Sequence, residues 1–181
     1  EHGRPISGII PDLQVLDIKN AAGYFSRSDM DLIDLFIGSE GTLGVITSLE
    51  LKLLKLPETI EGFLAFFSEE TSALNFVKHT KSKLTSDFGH DGAKLAAIEY
   101  FNNNALSLLS REKESNPTFK GLPSLRENYH TGVYIEIHGP AIEVEEMLIT
   151  AADCLDNCGG RAEDTWIAMT QKEMEQLKYF R

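Results

Sequence analysis

Apolar and polar positions alternate differently on the two sides of a break at about residues 55–59. Ahead of it, residues 1–30 are interrupted by Pro5, Gly8, Pro11, Gly23 and several Ser and Asp, which predicts irregular structure. Asp29–Phe36 carries a short amphipathic pattern that offers Met30, Ile33 and Leu35 for burial. Leu49, Leu51 and Leu53 then alternate with Glu50 and Lys52, the period of two expected of a half-buried strand. Pro57 closes this part.

Behind the break, Thr59–Phe67 is a short β-prone apolar run and predicts a strand. Ser68 suits the cap of a following helix, with Glu69 and Glu70 at the positive end of its dipole and Ala73, Phe76, Val77 and Leu84 as its apolar stripe. Lys94–Phe101 reads as a strand, and Asn102 to about Arg111 as a helix. Residues 113–129 are polar and hold Pro117, Gly121 and Pro123, the composition of a long mobile loop. Gly132–His138 sets Val133, Ile135 and Ile137 against Tyr134 and Glu136, a second alternating strand. Pro140 suits the first turn of a helix with Val144, Met147, Leu148, Ala151 and Leu155 on one face, ended by Gly159-Gly160. A short strand around Ala162–Trp166 follows, then a capping box Thr170–Glu173 with Met169 and Met174 as a hydrophobic staple. This order predicts an α+β domain with helices on one face of a mixed or antiparallel sheet.

One stretch carries candidate chemistry: Gly38-Ser39-Glu40-Gly41-Thr42-Leu43-Gly44-Val45-Ile46-Thr47. Glycine tolerates positive φ and has no Cβ, so the backbone can bend sharply and approach a bulky ligand. The amides of such a turn are free to bond outward. Spacing alone leaves two readings open, a turn lying against a ligand and a tight loop with none.

The decapeptide closely resembles the GSEGTLGxIT signature of FAD-linked oxidoreductases with the vanillyl-alcohol-oxidase, or PCMH, type of flavin-binding domain, nearest to the glycolate oxidase, D-lactate dehydrogenase and D-2-hydroxyglutarate dehydrogenase group. Lys19-Asn20-Ala21-Ala22-Gly23-Tyr24 is similar to the family's N-x-AGY turn, and Asp34-Leu35-Phe36-Ile37 to the lead-in of its glycine loop. Together these cover about thirty residues, far more specific than a lone glycine motif. Beyond Pro57 the likeness is one of layout. It implies that residues 1–57 are the C-terminal portion of the FAD-binding domain, and 58–181 the N-terminal portion of a ferredoxin-like substrate, or cap, domain. It implies cofactor contacts, largely through main chain, at Gly38, Ser39, Glu40, Gly41, Thr42, Leu43, Gly44, Val45 and Ile46, with Gly23 and Tyr24 near the flavin. Arg181 falls where relatives hold the substrate carboxylate, a role its planar fork suits, although an ordinary helix-end arginine would read the same. The metal ligands of some relatives would follow Arg181, and the loop that cradles the pyrophosphate would precede this chain. The chain alone is therefore expected to bind FAD weakly or not at all and to be inactive. The parent enzyme is implied to oxidise a small 2-hydroxy acid by hydride transfer to the flavin and to pass the electrons to another acceptor. Two alternatives stand beside it: a flavin-dependent transferase of the alkylglycerone-phosphate synthase type, which shares the signature, and a non-catalytic ferredoxin-like binding module.

Composition narrows partners. The 181 residues are 42% hydrophobic and carry a net charge of −11. That balance argues against nucleic acid and against an anionic membrane surface, both of which demand clustered Lys and Arg. No apolar run approaches the roughly 20 residues that span a bilayer, and no signal-peptide pattern is visible. Two cysteines make no disulfide framework, so the cytoplasm is the expected compartment. Cys154 and Cys158, four apart on a helix, read as small buried hydrophobes and not as a metal pair. His79 and His90 lack partners at metal spacing, His138 reads as structural or solvent-facing, and His130 stays unassigned. Glu143, Glu145 and Glu146 read as a solvated helix face. The chain begins at Glu1 without a methionine and stops at Arg181 inside a helical pattern, so a proteolytic piece of a longer protein is expected.

Overall fold

Phe63-Leu64-Ala65-Phe66-Phe67 places apolar side chains on both faces of one strand, and all five are buried. Each large one hidden from water contributes about 1.5–3 kcal/mol, so leaving either face uncovered would forfeit several of them. That demand organises the larger part of the protein. A computed structural model describes residues 8–9, 23–88, 92–122, 124–168 and 170–178, and the chain divides into two units, Glu1–Leu54 and Lys55–Arg181.

The second unit runs β1 (Thr59–Phe67), α1 (Glu70–Asp87), β2 (Lys94–Phe101), α2 (Asn103–Ser115), β3 (Thr131–Gly139), α3 (Ala141–Asn157), β4 (Thr165–Ile167) and α4 (Gln171–Leu177). The strands form one four-stranded sheet in the order β2-β3-β1-β4, antiparallel at every pairing. The long central pairing runs from Thr59 opposite Gly139 to Phe67 opposite Thr131. In this order β1-α1-β2 and β3-α3-β4 are two interleaved split β–α–β units. The α+β class is as the sequence led one to expect.

The layers are not. On one face Phe63, Ala65 and Phe67 join Val133, Ile135 and Ile137 beneath Phe76 and Leu84 of α1 and Val144, Met147 and Leu155 of α3. On the other, Leu64, Phe66 and Tyr134 meet Leu106 of α2, Leu122, and Met174 and Leu177 of α4. Helices therefore cover both faces, which corrects the one-sided layout. The cause lies in β1: alternation in β3 suggested a wet face, but β1 has none to offer, and a sheet apolar on both sides is stable only when covered on both.

Several local expectations shift with it. Residues 113–129 are not one long loop. α2 continues to Ser115, and a 3-10 turn follows at Pro117–Gly121, begun by Asn116, whose Oδ1 accepts from Thr118 N at 3.0 Å. Leu122 is buried, and Phe119, Leu125 and Tyr129 pack on the α2/α4 side of the sheet. Glu69 occupies the cap position of α1 and makes no side-chain cap bond, so Ser68 is not the cap. Asn102 does cap α2, its Oδ1 accepting from Ala105 N at 3.0 Å. Thr170 caps α4 by accepting from Glu173 N at 3.2 Å, while Met169 lies outside the described residues. α3 ends as expected where Gly159 turns left-handed at φ +78° and Gly160 N donates to Leu155 O at 2.9 Å.

In the first unit the described helical element is a 3-10 turn at Leu32–Leu35. Leu49, Leu51 and Leu53 are 65%, 69% and 85% exposed and lie in no strand. The half-buried strand expected there is not formed, because a strand needs a partner for its amides and carbonyls, and the described residues of this unit supply none. Ile33, expected to be buried, is also exposed.

The two-sided core makes α4 part of the foundation. Replacing the fully buried Leu177 by Ala is expected to cost about 2–5 kcal/mol in urea unfolding. A loss under about 0.5 kcal/mol, the size of an ordinary surface change, would mean that α4 does not pack on the sheet.

Candidate functional site

The glycine stretch forms a left-handed turn. Thr42 N donates to Ser39 O at 3.0 Å, and the two residues between them have φ of +52° (Glu40) and +80° (Gly41), the sign pattern of a type I′ turn. Gly38 is also left-handed at φ +77°. Non-glycine residues pay for this region, so Glu40 is held there by its neighbours. The holding bonds are visible. The Thr42 hydroxyl donates to Ser39 O at 2.6 Å. Its oxygen lies 2.8 Å from the Tyr24 hydroxyl, and with the Thr42 proton committed to Ser39, Tyr24 is the donor. Gly23 precedes Tyr24 in a left-handed conformation of its own, φ +73°.

The structure thus brings the AGY turn and the glycine stretch together, although they are far apart in sequence. The Thr42 hydroxyl is engaged within the turn itself. Of the expected contact residues, Ser39 is buried, while Gly38, Glu40, Gly41, Thr42 and Gly44 are exposed. Leu43, Val45 and Ile46 are 41%, 88% and 57% exposed. The amides of Glu40, Gly41, Leu43 and Gly44 make no backbone hydrogen bond among the described residues. Glu40 and Gly41 sit on left-handed backbone, and amide donors without a backbone partner beside exposed apolar side chains fit a ligand with anionic and flat apolar parts, as FAD has. Arg181 lies outside the described residues.

A second candidate lies within the other unit. An open cleft of about 480 Å³ runs between the start of β1 and α4, bordered by Pro57, Thr59, Ile60, Ala168, Met174 and Lys178. On the same face of the sheet, β3 presents Tyr134, Glu136 and His138 in alternation. Glu136 is 5% exposed. Its carboxylate accepts from the Tyr134 hydroxyl and lies 2.5 Å from His138 Nε2. Burial works against its charge, but the hydrogen bonds from Tyr134 and His138, with Lys178 nearby, hold the carboxyl below the usual glutamate range. Its cross-strand neighbours are Gly62 and Ala97, which leave it unusual room. A side chain on Gly62 would run into the Ile135 carbonyl oxygen. The sequence analysis passed over Tyr134, Glu136 and Lys178, and took His138 as structural or solvent-facing. The signal was present: three polar residues spaced by two share one face of a strand.

Other clusters are structural. Asp164 is nearly buried and accepts from Arg126 at 2.6 Å, Tyr129 at 2.8 Å and Arg161 at 3.0 Å, tying the segment before β3 to the turn before β4. Burial opposes its charge, yet the Tyr129 and Arg161 hydrogen bonds hold Asp164 below the usual range, while burial and Asp164 push Tyr129 up to about 12. Glu143, expected on a solvated helix face, is half-buried, and its Oε2 accepts from Ala93 N at 2.7 Å. Cys154 is buried and Cys158 partly so. Cys158 Sγ lies 3.7 Å from His79 Nδ1, which is itself 2.7 Å from Asn75 O. Among the described residues no group of three His, Cys, Asp or Glu could hold a metal ion, and no helix is long and apolar enough to cross a membrane.

No family model matches the chain. Among curated proteins, it is 28% identical over 142 residues, 78% of its length, to a probable mitochondrial D-lactate dehydrogenase of Danio rerio, of which that match covers 24%. It is 30% identical over 149 residues, 81% of its length, to a putative mitochondrial D-lactate dehydrogenase of Schizosaccharomyces pombe, covering 25% of that protein. The glycolate oxidase subunit GlcD of Bacillus subtilis is 42% identical over 59 residues, 33% of this chain and 11% of the subunit. The chain belongs to the FAD-linked oxidase family of these D-lactate dehydrogenases and glycolate oxidase subunit. It spans about a quarter of the length of the two D-lactate dehydrogenases.

The Asp164 clasp has a pH signature. A carboxyl lowered by folding stabilises fully above its unfolded pKa, about 3.9, and loses that contribution as pH falls through its folded value. Asp164→Asn is expected to cost about 1–3 kcal/mol at pH 7, with the gap to wild type closing as pH falls below about 4. Equal stabilities of the two at pH 7 in thermal unfolding would refute the clasp.

Proposed function

We propose that the chain is part of an FAD-dependent oxidoreductase that oxidises small 2-hydroxy acids and delivers the electrons to a separate acceptor. The observation that carries this reading is the turn at Ser39–Thr42, left-handed at both central residues, with exposed amides in a stretch resembling the family's flavin signature. In this reading residues 1–57 close the PCMH-type FAD-binding domain, and 58–181 open a ferredoxin-like cap domain, for which the strand order β2-β3-β1-β4 is supporting evidence. FAD, when bound, supplies the two-electron acceptor that turns a 2-hydroxy acid into a 2-oxo acid.

The chain's own contribution is placement. The amides of Glu40, Gly41, Leu43 and Gly44 would bond to the nucleotide, Val45 and Ile46 would pack against its apolar parts, and Gly38 and Ser39 would set the approach of the turn. Thr42 and Tyr24 would hold the turn's shape without spending ligand bonds. Arg181 is the proposed holder of the substrate carboxylate. The acid-oxidising reading is supported by what the matched relatives are named for, a D-lactate dehydrogenase and a glycolate oxidase subunit.

With the pyrophosphate loop supplied from elsewhere in the parent, each 1.4 kcal/mol of missing contact lowers FAD affinity about tenfold. The purified chain is therefore expected to stay colourless after incubation with FAD and to be inert toward D-lactate and glycolate. The parent protein, loaded with FAD, is expected to reduce a dichlorophenol-indophenol dye when given one of them. A stoichiometrically yellow chain would overturn the division of the cofactor site, and an FAD-loaded parent inert to every 2-hydroxy acid would overturn the function.

A further inference from the structure

The outer surfaces of α1 and α3 carry opposite charge. α3 holds Glu143, Glu145, Glu146, Asp153 and Asp156, and no Lys, Arg or His. Glu143 accepts from Ala93 N, whereas Glu145, Glu146, Asp153 and Asp156 are exposed. α1 holds Lys78, Lys81 and Lys83, with no carboxylate between Glu70 and Asp87. Lys83 pairs with Asp87 at 3.8 Å. Lys78 and Lys81 are exposed and line one shallow hollow with Ser82, Thr85 and Ser86. In a chain of net charge −11, this basic strip is a local reversal of sign.

The two strips are self-complementary. His79 meets Cys158 at one end of the helix pair, and Ala93, just past α1, meets Glu143 at the other. α1 and α3 therefore lie side by side and antiparallel. That register sets Lys78 and Lys81 within about one turn of the level of Asp153 and Asp156. Helical spacing places Ile142, Glu146, Ile149, Asp153 and Asp156 in one stripe, on the side of α3 turned away from its buried Val144, Met147, Ala151 and Leu155. Ile142 and Ile149 are 74% and 57% exposed, so the stripe is apolar as well as acidic.

We infer that the α1/α3 face is a docking surface for a second copy of this chain, related to the first by a two-fold axis parallel to the helices. Such an axis lays α1 of each copy over α3 of the other. It brings Lys78 and Lys81 to the partner's Asp153 and Asp156, twice over, and covers Ile149 with the partner's Thr85. The same patch serves both copies, as an isologous contact requires. A two-fold axis across the helices would instead set α1 on α1 and α3 on α3, and like charges reject that arrangement. Two helices about 26 Å long and about 10 Å across present a face of about 500 Å². Two such faces bury about 1,000 Å² in all, the lower limit for a specific interface, so the dimer is a weak one. The net charge of each copy opposes its approach, but at about 0.15 M salt that repulsion is screened beyond roughly 8 Å, while charges in contact are screened much less.

The test is sedimentation equilibrium of the chain at about 0.15 M salt. The unaltered chain is expected to show a reversible monomer–dimer equilibrium. Lys78→Glu with Lys81→Glu is expected to weaken it at least about tenfold, and so is Asp153→Lys with Asp156→Lys, because each sets like charges against each other. Mixed in equal amounts, the two variants are expected to pair with one another and regain the affinity of the unaltered chain, since each supplies the sign the other lacks. Circular dichroism checks that both keep their helices. Should either reversal unfold the chain, Lys78→Gln with Lys81→Gln takes its place and is expected to weaken the dimer in the same direction. The inference is overturned by an unaltered chain that stays monomeric up to its solubility limit. It is equally overturned by a dimer that the folded variants leave intact, which puts the contact elsewhere, or by two folded monomeric variants that fail to pair on mixing, which leaves the face to a different partner.

Discussion

A turn whose backbone is bent the unfavoured way has to be held there, and the hydroxyl chain from Tyr24 through Thr42 to the Ser39 carbonyl does the holding. With Glu40 and Gly41 at positive φ, the stretch is a turn and cannot serve as ordinary connecting strand. The Gly23–Tyr24 turn is then a brace for the glycine stretch, which gives a physical reason for the two motifs to occur together in one chain. The apolar residues that follow, Val45 and Ile46, stay in water among the described residues, as do Leu49, Leu51 and Leu53.

The second unit is governed by a different constraint. β1 is apolar on both sides, so the sheet must be a middle layer, with α1 and α3 on one face and α2 and α4 on the other. The second covering is incomplete in character. Toward Phe66 and Leu122 it is dry and apolar, whereas toward Gly62 and Ala97 it holds the Tyr134–Glu136–His138 cluster. An ionised carboxylate at that depth is costly unless hydrogen-bonded, and Glu136 meets the condition through two partners on its own strand. The polar end of this face and the neighbouring cleft are where the unit has chemistry to offer.

Much of this was legible in the sequence. β1 and β2 occupy the expected Thr59–Phe67 and Lys94–Phe101, and α1, β3 and α3 differ from expectation by little, because each carries a clean period or a long apolar run. What failed did so where one signal served two structures. Pro117 and Gly121 mark a tight turn as readily as a free loop, and only the burial of Leu122 separates the two. Leu49–Leu53 has the period of a strand, but a period cannot provide the partner that a strand requires. Alternation in β3 suggested a wet face, and the unbroken run in β1 should have outweighed it. The glycine stretch was recognisable by its residues, yet its brace was not: nothing in the spacing of Tyr24 and Thr42 says that they touch. Glu136 was hidden for the same reason, since its role depends on the small residues opposite it on two other strands.

The claim on which the account rests is that the amides around the left-handed turn belong to a flavin nucleotide. Hydrogen–deuterium exchange of the parent protein, with and without FAD, addresses it residue by residue. The account predicts that FAD slows exchange strongly at Glu40, Gly41, Leu43 and Gly44, and leaves the core amides of β1 and β3 nearly unchanged. Unaltered exchange at those four positions in a parent that has demonstrably taken up FAD would contradict it.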